Sequence, residues 1–186
     1  MNDSATDETK PMGLLSRLFA ARPDPRDAVR PLWDAVITEA RDPAWYAQGG
    51  VEDSVTGRFD MVTAITSLVL VRLEQSADLK AASSYLTEWF VEDMDGQLRE
   101  FGVGDMVVGK RVGKLVSTLG GRLGALRDAL PGGVGAVRGV VERNVTLTDE
   151  ADPGRVAARL VTLWDALAAT RDDRLMAGNL RGGDPA

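Results

Sequence analysis

The chain has 186 residues, 22 of them basic and 28 acidic, for a formal net charge of −6. This length suits one domain with a core of its own, and the acidic balance argues against nonspecific nucleic-acid binding, so no DNA partner is expected. The chain contains no Cys and no His, which excludes disulfides, thiolate and imidazole metal sites, and Ser–His or Cys–His catalysis.

The opening Met1-Asn2-Asp3-Ser4-Ala5-Thr6-Asp7-Glu8 is acidic and polar. It has neither the basic start of a signal peptide nor the Arg-rich character of a transit peptide, and the simplest reading is a bacterial cytoplasmic protein. From Met12 to Ala21, Leu14, Leu15, Leu18 and Phe19 fall at helical spacing beside Arg17. One short apolar segment binds a bilayer weakly, so an arm that packs on the domain is favoured over a membrane-surface contact. Pro23, Asp24 and Pro25 then break the chain. Residues 1–24 are expected to be a flexible N-terminal arm, residues 25–171 a helical domain, and residues 172–186 a partly disordered tail.

Within the domain the apolar period is helical throughout. A first helix starts near Pro25 behind Asp24 as cap, with Val29, Leu32, Trp33, Val36, Ile37 and Ala40 inside and Pro31 as a point where it could divide. A short helix with Trp45 and Tyr46 follows Asp42-Pro43 and stops at Gly49-Gly50. Residues 58–75 are predicted to be the most buried helix, because Met61 to Val71 carries only Thr63, Thr66 and Ser67 as polar side chains between the charges of Asp60 and Arg72. This run is too short for a span, which needs about 20 apolar residues. Helices are expected over 78–101, 104–130, 134–143 and 153–170, the last capped by Asp152 with Pro153 in its first turn. The fold class is all-α, a single compact domain of six to seven helices.

Several motifs invite chemistry. Gly104-x-x-x-x-Gly109-Lys110 is close to a phosphate-binding loop, but Arg111 replaces the Ser or Thr that would hold Mg²⁺, and a helical stretch precedes it instead of a strand. Gly133-Val134-Gly135 lacks both the strand and the third Gly of a dinucleotide loop. Glu92-Asp93-x-Asp95 could hold Mg²⁺ against a diphosphate in a small helical enzyme, but a second acidic cluster is missing. On the 78–101 helix, Glu88, Glu92, Asp95 and Arg99 share a solvated stripe, whereas Asp93 projects among Leu86, Trp89 and Phe90 and needs a partner such as Arg58, Lys110 or Arg111. The 104–130 helix has a Leu/Val core face from Val108 to Leu130. Its small-residue stripe is Gly109, Gly113, Ser117, Gly120 and Gly124, and its basic side is Lys110, Arg111, Lys114 and Arg122. Each helical Gly costs about 1 kcal/mol relative to Ala, so the stripe suggests close approach by another helix, the chain's own or a partner's.

Four blocks occur in order: Gly57-Arg58-Phe59-Asp60-Met61, Phe90-Val91-Glu92-Asp93-Met94-Asp95, Leu98-Arg99-Glu100-Phe101-Gly102-Val103-Gly104-Asp105, and Gly109-Lys110-Arg111-Val112-Gly113-Lys114. Together they resemble the ubiquinol–cytochrome c chaperone family over roughly residues 30–147. The resemblance implies an all-helical, non-enzymatic assembly factor for the cytochrome bc complex that binds newly made cytochrome b. No cofactor and no metal are expected, since the chain has neither Cys nor His.

On this reading an apolar client, cytochrome b or another membrane-protein segment, lies in a groove flanked by aromatic and Met side chains with charged rims. The expected client-binding residues are Phe59, Met61, Trp89, Phe90, Asp93, Met94, Met106, Lys110, Arg111 and Lys114. Met suits such a surface because it repacks easily. A peripheral contact with the inner membrane or the ribosome stays open, as do the Mg²⁺-dependent enzyme and a scaffold with another client.

Overall fold

The computed structural model of the protein describes residues 24–100 and 108–182. Its helices in chain order are α1 (Arg30–Ala40), α2 (Pro43–Ala47), α3 (Val55–Leu73), α4 (Lys80–Glu100), α5 (Val108–Ala129), α6 (Gly133–Asn144), α7 (Pro153–Ala169) and α8 (Asp172–Met176). The fold is all-α, with six helices longer than two turns making the body. The one sheet-like feature among the described residues is an antiparallel bridge between Val51 and Leu147. Pro31 falls in the first turn of α1, and a 3-10 turn over Pro25–Val29 precedes it, capped by the Asp24 carboxylate on the Arg26 N–H. The division foreseen at Pro31 therefore occurs just ahead of it.

Helix α3 is the axis of the domain. Every residue from Asp60 to Leu73 is buried, and α1, α4, α5 and α7 all pack on it. Its buried hydroxyls cost little, because Thr63, Thr66 and Ser67 each donate to the carbonyl one turn back (Phe59, Val62 and Thr63) at 2.7 Å. Ser54 caps the helix on the Gly57 N–H. A Cβ at Gly57 would lie 2.0 Å from the Glu52 carbonyl oxygen, so only glycine lets the chain turn into α3 here.

The two charges that bound the apolar run in the sequence are not at the surface. Asp60 and Arg72 are 4% and 8% exposed. Arg72 donates to the carbonyls of Leu167 (3.0 Å) and Thr170 (2.7 Å) and to Asp172 (2.7 Å), closing the C-terminal end of α7. Asp60 accepts from Arg122 of α5 (2.6 Å) and from the backbone N–H and hydroxyl of Thr146 (2.9 and 2.7 Å). This corrects the sequence reading of Arg122, which belongs to the interior and not to a basic surface patch. The segment after α6 is thereby held beside the loop before α3, where Glu52 N–H donates to the Thr146 carbonyl and Thr148 N–H to the Gly50 carbonyl.

Helix α5 covers α3 with Leu115, Leu119 and Leu126, but Val116, expected inside, is 46% exposed. The small-residue stripe is open. A Cβ at Gly109, Gly113, Gly120 or Gly124 would meet nothing within 4 Å, so no described helix of this chain makes the close approach that the glycines suggested. Gly133, at φ +63°, turns the chain from the 3-10 segment Leu130–Gly132 into α6.

Of the stretch expected to be partly disordered, residues 172–182 are packed, and residues 183–186 lie outside the described residues. Leu175 and Leu180 are buried. Arg181 makes a two-pronged contact with Glu39 (2.7 and 2.9 Å) and reaches Asp42 (2.8 Å). The N-terminal arm, 1–23, and Phe101 and Met106 also fall outside the described residues.

Two measurements follow from this scaffold. Arg122→Ala strands the buried Asp60 carboxylate and is expected to cost about 3–5 kcal/mol in urea unfolding. Arg138→Ala removes only an exposed pair with Glu142 and is expected to cost less than about 0.5 kcal/mol; equal losses would contradict the interior role of Arg122. Separately, the Asp42 carboxyl is held below the usual range, first by the Ala44 N–H it caps and then by Arg159 and Arg181. A folded value below the unfolded one gives stability that is complete above the ordinary carboxylate range, about pH 4, and is lost as pH falls through the depressed value. Asp42→Asn is expected to flatten the acid limb of the urea midpoint below about pH 4 relative to the parent chain; an unchanged limb would contradict it.

Candidate functional site

A cleft of about 1120 Å³ lies between α1, the start of α3 and the second half of α4. Its floor is Trp33 and Val62, both buried, with Ile37 and Trp89 partly exposed and Val55 46% exposed on its walls. The walls are held from beneath by a ring cluster. Trp33 meets Phe90 edge-on at 6.5 Å, and Phe59 lies 6.3 Å from Phe90. Arg122 sits over Phe59 at 5.7 Å, so the Asp60–Arg122 pair also backs this corner.

Polar groups ring the apolar floor. Arg30 pairs with Asp34 at 2.9 Å and Arg58 with Asp53 at 2.6 Å. The Asp53 carboxyl is lowered by the hydrogen bond from Arg58. Arg26 and Arg30 stack on Trp89 at 5.1 and 4.8 Å, and the Trp89 indole donates to the Arg26 carbonyl at 3.1 Å. Among the described residues Arg41, Asp93 and Glu100 line the cleft with no ion-pair partner. Gly96 lies in the α4 wall, where a Cβ would meet nothing within 4 Å. A bare helical glycine leaves backbone facing the cleft at some cost to the helix.

The cleft gathers only part of the residue set expected from sequence. Trp89 and Asp93 line it. Met61, Phe90 and Met94 are at most 1% exposed; they are core and shape the cleft from behind without facing it. Phe59 is partly buried against that core. Lys110 and Lys114 are exposed on α5 but are not among the cleft-lining residues. Met106 and the Arg111 side chain lie outside the described residues. Sequence reasoning missed Trp33, Ile37, Val55 and Gly96. The first two were assigned to the inner stripe of α1, which they do belong to, at its edge.

The carboxylates of α4 also sort differently from the sequence reading. Asp95, expected on the solvated stripe, is 4% exposed and pairs with Arg99. Asp93, expected to need an internal partner, is partly exposed and has no ion pair with Arg58, which is held by Asp53. The buried stripe of α4 runs through Leu86, Phe90 and Met94, with Asp93 on the flank that opens to the cleft. The burial of Asp95 is a tertiary effect that the period of one helix does not carry. Glu92 turns to Arg26 at 2.7 Å. The three acids therefore diverge, and no cluster of metal-binding side chains forms among the described residues.

The comparison with protein families matches the ubiquinol-cytochrome C chaperone model over residues 47–181. The chain belongs to the ubiquinol-cytochrome C chaperone family. The match reaches past the four sequence blocks to the Arg181 contact at the C-terminal end. A crystal structure of the Cbp3 homolog from Brucella abortus is similar, with 30% sequence identity and a TM-score of 0.74, covering 85% of this chain and 90% of that one. No curated protein matches the chain. Membership of a chaperone family implies a non-enzymatic role, and no described helix is long and apolar enough to cross a membrane.

Proposed function

We propose that the protein holds an apolar segment of newly made cytochrome b in the cleft between α1, α3 and α4 and so assists assembly of the ubiquinol–cytochrome c reductase complex. The observation that carries this reading is the cleft itself. At about 1120 Å³ it exceeds the roughly 300–1,000 Å³ of small-molecule pockets. Trp89, Ile37 and Val55 offer apolar surface of the kind that anchors partners, over a floor closed by the buried Trp33 and Val62. Asp93 and Glu100 on α4 and Arg41 at the end of α1 offer charges that the described chain does not itself use. A membrane-protein segment flanked by basic residues fits that pattern. Family membership supports the chaperone role, and cytochrome b is the client that the resemblance of the sequence blocks implies. Lys110 and Lys114, exposed on α5, are available for a second contact with an acidic loop or a lipid headgroup.

Gly96→Trp tests the cleft. The new side chain has free space and projects into the site. Recovery of cytochrome b with the purified variant is expected to fall at least about tenfold, corresponding to about 1.4 kcal/mol of binding. Gly135→Trp places the same bulk on exposed α6, where a Cβ also meets nothing within 4 Å, and is expected to recover the parent's amount. Both variants are expected to melt with the parent. Full recovery by a normally melting Gly96→Trp protein would contradict the assignment of the cleft.

A further inference from the structure

We infer that, when no client is present, the cleft is filled by residues 12–21 of the same chain, which act as a placeholder that the client displaces. The inference rests on the cleft reading above and names the cleft's first occupant.

Three observations support it. The first is where the chain enters the fold. Asp24 is extended (φ −63°, ψ 121°) between Pro23 and Pro25, which restrict the direction of the linker. Two residues later Arg26 is fixed to the cleft wall: its carbonyl accepts from Trp89 at 3.1 Å and its guanidinium contacts Glu92 at 2.7 Å. Trp89 and Glu92 both line the cleft, so the arm leaves the domain at the cleft's edge.

The second observation is reach. From Asp24 back to Phe19 is five residues, at most about 17 Å of extended chain. From Asp24 back to Leu14 is ten residues, at most about 36 Å of extended chain, so Leu14 to Phe19 can be brought over Trp33, Ile37 and Trp89 without unwinding the fold. A tether this short gives an effective concentration in the millimolar range, at which even a weak segment remains bound.

The third is charge. Residues 9–23 hold Lys10, Arg17 and Arg22 and no acid. The cleft is lined by Arg30, Arg41 and Arg58 against Asp34, Asp53, Glu92, Asp93 and Glu100. Of these acids, Asp93 and Glu100 have no partner among the described residues. An apolar, basic segment thus meets an apolar, acidic cleft. The client proposed for the cleft has the same chemistry, which is why the two would compete.

The chain lacks Cys, so Ser16→Cys gives a single attachment point for a nitroxide label on the polar side of the arm. The four indole N–H signals, from Trp33, Trp45, Trp89 and Trp164, are then read by NMR in the full-length protein. The label is expected to broaden Trp33 and Trp89, and adding Leu15→Asp and Leu18→Asp to the labelled chain is expected to restore both. Broadening that is absent, or that survives those substitutions, overturns the inference. Sharp signals in solution are also what an arm reserved for a lipid surface would give. Broadening of an isotope-labelled chain by nitroxide on a different copy assigns the cleft to a second copy and likewise overturns it.

Cytochrome b recovery separates this inference from the reading beneath it. If the arm fills nine-tenths of clefts, Leu15→Asp/Leu18→Asp should raise apparent client affinity about tenfold. Arm-dependent broadening with unchanged client affinity overturns the placeholder role and leaves the client reading intact. Arm-dependent broadening with no recovery by either chain leaves the docked arm in place and overturns the client reading.

Discussion

The buried ion pair between Asp60 and Arg122 is the constraint on which the rest of the domain depends. Asp60 sits near the start of the central helix with one oxygen on Arg122 and the other on Thr146. One carboxylate thus ties α3 to α5 and to the segment joining α6 and α7. A buried pair of this kind adds little net stability compared with a well-packed apolar alternative, but it is costly to break. Its value lies in fixing one arrangement. With Arg122 drawn inward, its guanidinium also lies over Phe59, and Phe59 backs Phe90 and Trp33. The corner of the cleft is set by the same side chains that lock the fold.

The cleft is therefore built mainly from helices of the body, with Asp53 and Ser54 as its loop residues. Its floor is core, and its walls are three helices: Ser54 caps α3, and the 3-10 turn capped by Asp24 leads into α1. Helical walls and rim charges that are unpaired among the described residues suit a holder of an apolar segment, because affinity then comes from burial while the rim sets orientation. Elsewhere the domain is held by arginines that act on backbone and carboxylates. Arg72 ends α7 and Arg181 clamps the C-terminal segment to α1.

The sequence made the helices legible because their signals are local. Caps at Asp24, Asp42 and Asp152, prolines in first turns, and Gly133 at a helix junction are written within a few residues of where they act; the Ser54 cap was not read, and α3 begins at Val55 instead of residue 58. The family too was legible, from short blocks in order. What was not legible is how charges are shared between helices. Asp60 and Arg122 are 62 residues apart, and each alone resembles an ordinary surface charge. Asp93 and Asp95 are two residues apart on one helix, and a helical wheel assigned them the reverse of their actual burial, because the wheel contains no neighbours. The same limit applied to Met61, Phe90 and Met94, whose motif membership suggested a binding surface although their side chains fill the core. Gly57 and Phe59, in the first block, serve the turn into α3 and the backing of the cleft.

The central claim is that the cleft formed by α1, α3 and α4 is the client surface. Site-specific photo-crosslinking in cells tests it most directly, with the reactive group introduced in turn at Val55 and Gln97 on the cleft walls and at Arg138 on exposed α6. The account predicts crosslinks to newly made cytochrome b from Val55 and Gln97 and none from Arg138. Crosslinks from Arg138 with none from the two cleft positions would contradict it.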